Sequence, residues 1–308
     1  MNTTVIICSV DRPAILHDTV LGLMKQTVPA DAVVLSLCDD NSVWRETKEL
    51  PGVRCVFGQR GSSAQRNTTI PLARTPYALF LDDDVELAAD YIGQMERASA
   101  EDPTIVVASG GVAGDGAPNG KGITREAARQ AIRNYSGSRS CSAVKDLYGC
   151  NIFVRSDVLR TEKFDERLPL YGWMEDHDFR WRCEKHGKVV CHQGAVLAHL
   201  GIPSMSVSDV RYGYAKIANP WYLWRKGVLA SLPELIVNYW LKTTTANLLR
   251  ILAPGRPQTI NYWQRLMGNC MAYRDFILGR IDPLNILKIP DTTEPPGKLR
   301  RLAQNEAK

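Results

Sequence analysis

Residues 77–84 read Tyr77-Ala78-Leu79-Phe80-Leu81-Asp82-Asp83-Asp84, an apolar run that stops abruptly at three carboxylates. A short apolar run of this kind has the pattern of a buried strand. Three adjacent like charges repel one another, so holding them together is costly without a cation. A hard divalent ion such as Mg2+ or Mn2+ takes one or two carboxylates and completes its octahedron with phosphate oxygens and water. A solvated acidic turn is the alternative, and the position directly after a buried strand favours the metal.

The same rhythm runs upstream. Residues 5–8, 32–37 and 53–57 are further short apolar runs, and Leu16, Val20, Leu23 and Met24 share one helical face after the first of them. Helices are expected over 62–74 and 86–100. Such alternation predicts an α/β chain with a mainly parallel sheet covered on both faces. Ligands then bind beyond the carboxyl ends of the strands, which directs attention to residues 9–13, 39–42, 58–61 and 82–84.

Residues 109–122 (SGGVAGDGAPNGKG) read as a Gly-rich loop, and Arg125, Arg129 and Arg133 recur at helical spacing as a stripe that faces either an acceptor phosphate or, as the favoured reading, solvent. Beyond about 200 the alternation gives way to long amphipathic segments rich in Trp, Tyr, Leu and Arg. The reading is therefore a domain over 1–204, with a nucleotide-binding half at about 1–112 and an acceptor half at about 113–204. A helical, basic and aromatic extension covers 205–308.

Composition narrows the function classes. The chain has 308 residues, 44% apolar and 23% charged, which is ordinary globular usage. Its net charge of +5 is uneven, because residues 205–308 carry 15 basic and 7 acidic side chains while the rest is slightly acidic. That pattern argues against a nucleic-acid binder and for a tail that meets anionic lipid headgroups or a partner. The eight cysteines show no C-x-x-C and are expected to be reduced core thiols. No cationic, apolar leader opens the sequence, so a cytoplasmic protein is expected.

Three more constellations bear chemistry. Phe164-Asp165-Glu166-Arg167-Leu168 leads to Tyr171-Gly172-Trp173-Met174-Glu175-Asp176-His177-Asp178-Phe179, and the i,i+4 spacing of Phe179 and Cys183 predicts a helix that begins near Glu175. Its first carboxylates would sit at the positive end of the macrodipole and stay ionised, where one serves as general base for an attacking hydroxyl. An ordinary acidic helix start is the alternative. Gly61 lets the chain turn into a helix whose amides either face phosphate or simply connect strand to helix. His199 ends the apolar run 195–198, either completing a metal shell or serving as a structural histidine. Cys183, His186, Cys191 and His192 match no usual zinc spacing.

Taken in order, these motifs resemble the family 2 glycosyltransferases, inverting enzymes with the GT-A fold, a Rossmann-like fold for nucleotide-diphospho-sugar transfer. The resemblance covers roughly 3–202. Residues 5–13, with Asp11 and Arg12, resemble the family's opening strand and its Arg-Pro. Asp39 matches the acid that recognises the nucleotide base. Gly61 to Asn67 is similar to its G-x-x-x-A-R-N turn, except that Gln65 replaces a small residue, and Arg66 is then a nucleotide contact. Asp82, Asp83 and Asp84 resemble the D-x-D motif, with Asp82 near the ribose or metal and Asp84 on the metal, joined by His199. The resemblance further implies Gly149, Asn151, Trp173 and Glu175 as sugar or acceptor contacts and Asp176 as the base.

The implied activity is inverting, divalent-metal-dependent transfer from a nucleotide-diphosphate sugar to a hydroxyl of a glycan or lipid-linked saccharide, in bacterial polysaccharide or glycolipid synthesis. The implied cofactor is Mn2+ or Mg2+. The imide N–H of uracil or thymine suits the Asp39 carboxylate best, although guanine N–H groups could also donate, and a UDP-sugar is the preferred donor with TDP- or GDP-sugars as alternatives. The extension's interleaved aromatic and basic residues, Trp221, Trp224, Trp240, Arg225 and Lys242 among them, suit either a peripheral contact with the cytoplasmic face of the inner membrane or packing and homodimer contact. A sugar-nucleotide nucleotidyltransferase would carry a Gly-rich loop after the first strand, where Ser9-Val10-Asp11-Arg12-Pro13 has no glycine. A non-catalytic sugar-nucleotide-binding protein would not need all of Asp82, Asp84, Glu175 and Asp176.

Overall fold

Apolar runs become strands here wherever helices can cover both of their faces. The computed structural model describes residues 2–137, 140–143, 147–202, 207–253 and 260–290. In chain order they form β1 (Thr3–Cys8), α1 (Pro13–Leu23), β2 (Ala32–Leu37), α2 (Arg45–Lys48), β3 (Val53–Phe57), α3 (Ser62–Thr69), β4 (Tyr77–Asp82), β5 (Val85–Leu87), α4 (Tyr91–Glu101) and β6 (Ile105–Asp115). Next come α5 (Arg125–Arg133), β7 (Cys141–Ala143), β8 (Asn151–Arg155), α6 (Glu175–Cys183) and β9 (Lys188–His199). The C-terminal helices are α7 (Asp209–Lys226), α8 (Leu232–Glu234), α9 (Lys242–Leu252) and α10 (Tyr262–Ile277), with a π-helical stretch, Leu235–Leu241, between α8 and α9.

One sheet runs in the order β3-β2-β1-β4-β8-β6-β9-β5, with β7 added against β9. Its first four strands are parallel, as alternation with helices requires. Beyond them the sheet is mixed, because β8 runs antiparallel between β4 and β6, and β5 antiparallel to β9. The expectation of a mainly parallel sheet therefore holds only for the N-terminal part. Strand alternation divides the core: Val5 and Ile7 of β1 join Leu16, Tyr91 and Met95 on one face, while Ile6 joins Phe80, Phe164 and Phe179 on the other.

Several expectations are corrected. The helix placed over 86–100 begins only at Tyr91, because Val85–Leu87 pairs with β9 as a strand. The first half of the supposed loop 109–122 is the later part of β6. Its glycines reflect crowding: a Cβ on Gly110 would meet the Ala195 carbonyl oxygen at 2.4 Å, and one on Gly111 the Tyr135 hydroxyl at 2.5 Å. The same strand passes through position 112, so the two proposed halves share it. Arg125 does not face solvent. It donates to Ile15 O at 2.9 Å, to Thr19 Oγ1 at 2.8 Å and to Glu86 at 3.1 Å, tying α5 to α1 and β5. Cys141 and Cys270 are exposed rather than core thiols.

The aromatic side chains of α7 and of the π-helical stretch pack inward. Tyr214 is buried, and Trp221, Trp224, Tyr239 and Trp240 surround Leu168, Met174, Leu223 and Leu235. Lys226 bridges Asp165 at 2.6 Å and Asp178 at 2.5 Å, fastening α7 to the start of α6. The boundary near 205 and residues 291–308 lie outside the described residues.

Glu162 holds the other end of α6, receiving Arg182 at 2.7 Å, Lys185 at 2.8 Å and His186 at 2.9 Å. Burial alone would raise its pKa, but Lys185, His186 and Arg182 outweigh burial and bring it down to about 2. A depressed carboxyl stabilises the fold above its unfolded pKa and loses that contribution as pH falls through the folded value. Glu162→Gln should therefore cost about 1–2 kcal/mol at neutral pH, allowing for solvent screening at the cluster's edge. The difference should vanish as the pH approaches about 2. Thermal melts of both proteins across that range check it, and a constant gap at every pH refutes the assignment.

Candidate functional site

The carboxyl ends of β1 and β4, the start of α3, the approach to α6 and His199 enclose a cleft of about 440 Å³. Three strand ends converge at one edge of it. The pairing of β5 with β9 sets Val85 against His199, so Asp84 lies beside that imidazole, and the β6–β9 register sets Asp115 opposite His199 as well. Ligand atoms of Asp82, Asp84 and His199 all lie within 4.8 Å of one another. His199 Nε2 is 3.3 Å from Asp84 and 3.8 Å from Asp82.

The rest of the acidic cluster is neutralised internally. Asp83 is fully buried; it accepts from Ser9 Oγ at 2.5 Å and is paired on both oxygens by Arg12. Arg12 also donates to Ile202 O at 3.1 Å, and Ile202 N donates to Asp84 Oδ2 at 2.9 Å. Burial works against the Asp84 charge, but His199 and Arg12 outweigh it and hold its carboxyl below the ordinary value. Burial raises the Asp82 carboxyl, with Arg66 and His199 opposing.

Asp115 orients the histidine. It accepts from His199 Nδ1 at 2.9 Å and from the Tyr148 hydroxyl at 2.8 Å, which turns Nε2 toward Asp82 and Asp84. Burial disfavours the imidazolium, yet Asp115, then Asp84 and Asp82, push its pKa up to about 10. Two carboxylates and an oriented imidazole are a hard, mixed O/N donor set, which fits a divalent cation of the Mg2+ or Mn2+ type. Among the described residues no other group of three His, Cys, Asp or Glu side chains could hold a metal.

Across from these groups stand the first residues of α6. Asp176 accepts from Gly149 N at 3.0 Å through Oδ2 and from His177 N at 2.9 Å through Oδ1. A Cβ on Gly149 would lie 3.3 Å from that Oδ2, so the glycine permits the close approach. Glu175 is buried and paired with Arg66, whose Nη2 donates to Gly149 O at 3.0 Å and lies 3.7 Å from Asp82. Burial pushes the Glu175 carboxyl up to about 7 against the pull of Arg66, so this acid holds its charge less firmly than an ordinary first-turn carboxylate. Leu170, Gly172 and Met174 have left-handed backbone just before this helix, with φ of 60°, 62° and 70°.

Of the residues singled out from sequence, Arg12, Arg66, Asp82, Asp83, Gly149, Trp173, Glu175, Asp176 and His199 line the cleft, and Asp84 lies beside it. Asn151 does not: it is fully buried, and its Oδ1 accepts from the Tyr91 hydroxyl at 2.9 Å and from Gly110 N. Asp11 and Asp39 are exposed outside the lining and meet at Ser42, whose Oγ accepts from Asp11 N and donates to Asp39 Oδ1, each at 3.2 Å. The amides of α3 do not open on phosphate at their first position, since Ser62 N donates to Leu170 O at 2.8 Å. Gln65, the departure from a small residue, donates to Ser9 O at 3.2 Å and Ser36 O at 2.8 Å, locking the ends of β1 and β2. Sequence reasoning missed Asp115, Tyr148 and Tyr171. Reading 109–115 as a strand would have placed Asp115 at a carboxyl end like Asp82.

Comparison with known proteins agrees with this geometry. The family model described as glycosyl transferase family 2 matches residues 4–162. No curated protein matches the chain in sequence. Among solved structures, the chain is similar to GalNAc-T7 solved with UDP, GalNAc and Mn2+, at TM-score 0.52 and 14% identity over 94% of this chain and 56% of that one. It is also similar to the mannosyltransferase PcManGT of Pyrobaculum calidifontis, in complex with GDP-Man and Mn2+, at TM-score 0.51 and 14% identity over 99% and 79%. S. aureus TarS follows at 0.51 and 15% over 80% and 43%. The chain thus spans only about half the length of the first and third. These likenesses show the GT-A fold with helices after the sheet.

Because His199 is protonated without metal and must lose a proton to bind one, Mn2+ affinity should rise roughly tenfold per pH unit between about pH 7 and 9. Asp115→Asn should weaken Mn2+ binding about 10–100-fold by releasing the ring. Calorimetric titration measures both; affinity independent of pH would remove His199 from the metal shell.

Proposed function

The chain belongs to glycosyl transferase family 2, and on that premise we propose that it moves a sugar from a nucleotide-diphosphate donor to an acceptor hydroxyl with inversion at the anomeric carbon. The observation that supports this is a single cleft lined by Asp82, His199 and Asp176, with Asp84 beside it completing the Asp82, Asp84 and His199 cluster. A bound divalent cation would neutralise charge on the leaving diphosphate.

The chain's own residues supply the remainder. Asp176, held by two backbone amides, takes the proton of the acceptor hydroxyl as that oxygen attacks from the face opposite the leaving group. Glu175 is engaged by Arg66 and is not free for this step. Arg66 joins the two ends of the cleft, with Asp82 on one side and Glu175 on the other, so the donor and acceptor sides share one guanidinium. Arg12 pairs with Asp83 inside the acidic turn, leaving Asp82 and Asp84 as the carboxylates that would hold the cation. A UDP-sugar is the preferred donor, with TDP- and GDP-sugars as alternatives, and the acceptor is a glycan or a lipid-linked saccharide.

Asp176→Asn tests the assignment. The variant should keep the thermal stabilisation that UDP with Mn2+ gives the wild type. It should lose about 10²–10⁴-fold in UDP release from UDP-sugars with glycan acceptors. Transfer at the wild-type rate refutes the base. Absence of any stabilisation by UDP, TDP or GDP with Mn2+ refutes the transferase reading itself.

A further inference from the structure

Helices α9 and α10 pair through one side of each. Thr244 Oγ1 meets the Tyr273 hydroxyl at 2.8 Å, and Asn247 donates to Asn269 at 2.8 Å. The inner side of α10 is fixed still more closely, because a Cβ on Gly268 would lie 2.1 Å from Val210 O of α7 and one on Gly213 2.1 Å from Arg265 O. Neither helix can turn about its axis without breaking these contacts. The sides left outward are apolar: Leu248, Leu249 and Leu252 on α9, and Trp263, Met267 and Ile277 on α10. Leu252 and Ile277 are each 81% exposed, and Leu249 69%, far more than stray surface leucines require.

The charge of this segment has one sign. From residue 235 to 274 the sequence contains no Asp or Glu, while Lys242, Arg250, Arg256, Arg265 and Arg274 are all cationic. Lys242 and Arg250 are exposed and have no carboxylate partner among the described residues. A second copy seated here by two-fold symmetry would bring like charges together, whereas a layer of phosphate headgroups over acyl chains complements both features. Among the described residues no helix is long and apolar enough to cross a membrane, so the contact is one that lies on a surface.

We propose that the outer faces of α9 and α10 form a docking surface for an anionic phospholipid bilayer. Leucine and tryptophan side chains enter the headgroup boundary, and Lys242 and Arg250 pair with phosphate. This places the contact on the aliphatic outer stripes, away from the inward-packed aromatic residues of α7.

Co-sedimentation with vesicles of phosphatidylcholine, alone or mixed with phosphatidylglycerol, tests the surface. The expected result is binding to the mixed vesicles at low salt and little to phosphatidylcholine alone. Arg250→Gln should weaken binding about fivefold, and Lys242→Gln similarly. The double variant Leu249→Glu/Leu252→Glu should abolish it, while its melting temperature stays near the wild-type value because both side chains are solvent-exposed. No binding to mixed vesicles overturns the proposal, as does binding that none of these variants alters. A concentration-dependent dimer, by sedimentation, that the leucine variant dissociates would assign the face to a second copy and also overturn it. The variants lie outside the cleft, so stabilisation by UDP with Mn2+ is read separately and its loss in the wild type would fault only the transferase reading.

Discussion

Three carboxylates at the end of one buried strand cannot remain together unless each finds a counter-group, and the architecture of this protein is arranged around that requirement. Asp83 turns into the protein and takes Arg12 and Ser9. Asp84 takes His199 and the amide of Ile202. Asp82 lies near Arg66 and His199. These partners come from β1's carboxyl end, α3, and the end of β9 with the residue chain just after it. The long return from β5 through β6, β8 and β9 is thus what makes the acidic turn sustainable, and it leaves two carboxylates and an imidazole facing the same small volume.

The second constraint is Arg66. Its guanidinium is nearly enclosed, lies 5.0 Å over the Phe164 ring and pairs with Glu175. Phe164 in turn stacks on Phe179 at 4.3 Å and meets Phe80 edge-on at 5.1 Å. One aromatic column therefore joins β4, which ends at Asp82 of the acidic cluster, to α6, whose first turn carries Asp176. Displacement of either element would be felt by the other through a packed interior. A buried ion pair of this kind is strongly destabilising to break singly, which makes it a positional lock more than a source of net stability.

Local sequence signals were most legible where one physical cause dominated. The first four strands follow directly from apolar runs ended by polar residues, and the start of α6 from the Phe179–Cys183 spacing. Signals failed where a residue type had two causes. Glycine in 109–115 was read as loop freedom, but it answers to the close approach of Tyr91, Ala195 and Tyr135 to a strand. Arg125 looked like a solvated stripe, but its fork is filled by carbonyls of distant segments that sequence spacing cannot reveal. The individual cleft residues were visible as strand and helix termini, whereas Asp115 was hidden by that misreading of β6. Asn151 sits one residue beyond Cys150, and strand alternation turns it from the cleft into the core.

The C-terminal helices belong to the site as much as the sheet does. Leu170 and Met174 occupy left-handed backbone, a conformation that costs non-glycine residues on the order of 1–3 kcal/mol each and persists only where surroundings over-determine it. What over-determines it is the extension: Met174 and Leu168 pack against Leu223, Leu229 and Leu235, and Asn219 of α7 donates to Trp173 O at 2.8 Å. Lys226 clamps Asp178 one turn further on. Lys216 lies 3.7 Å over the Trp173 ring, whose other surroundings include the cleft. A sheet alone would present the acidic cluster but would not hold the strained segment that leads into Asp176. The aromatic residues that first suggested a surface for lipid are the ones required inside for this purpose. It follows that the apolar exposure on α9 and α10 is not excess from the same packing, because the helices' inner sides already satisfy it.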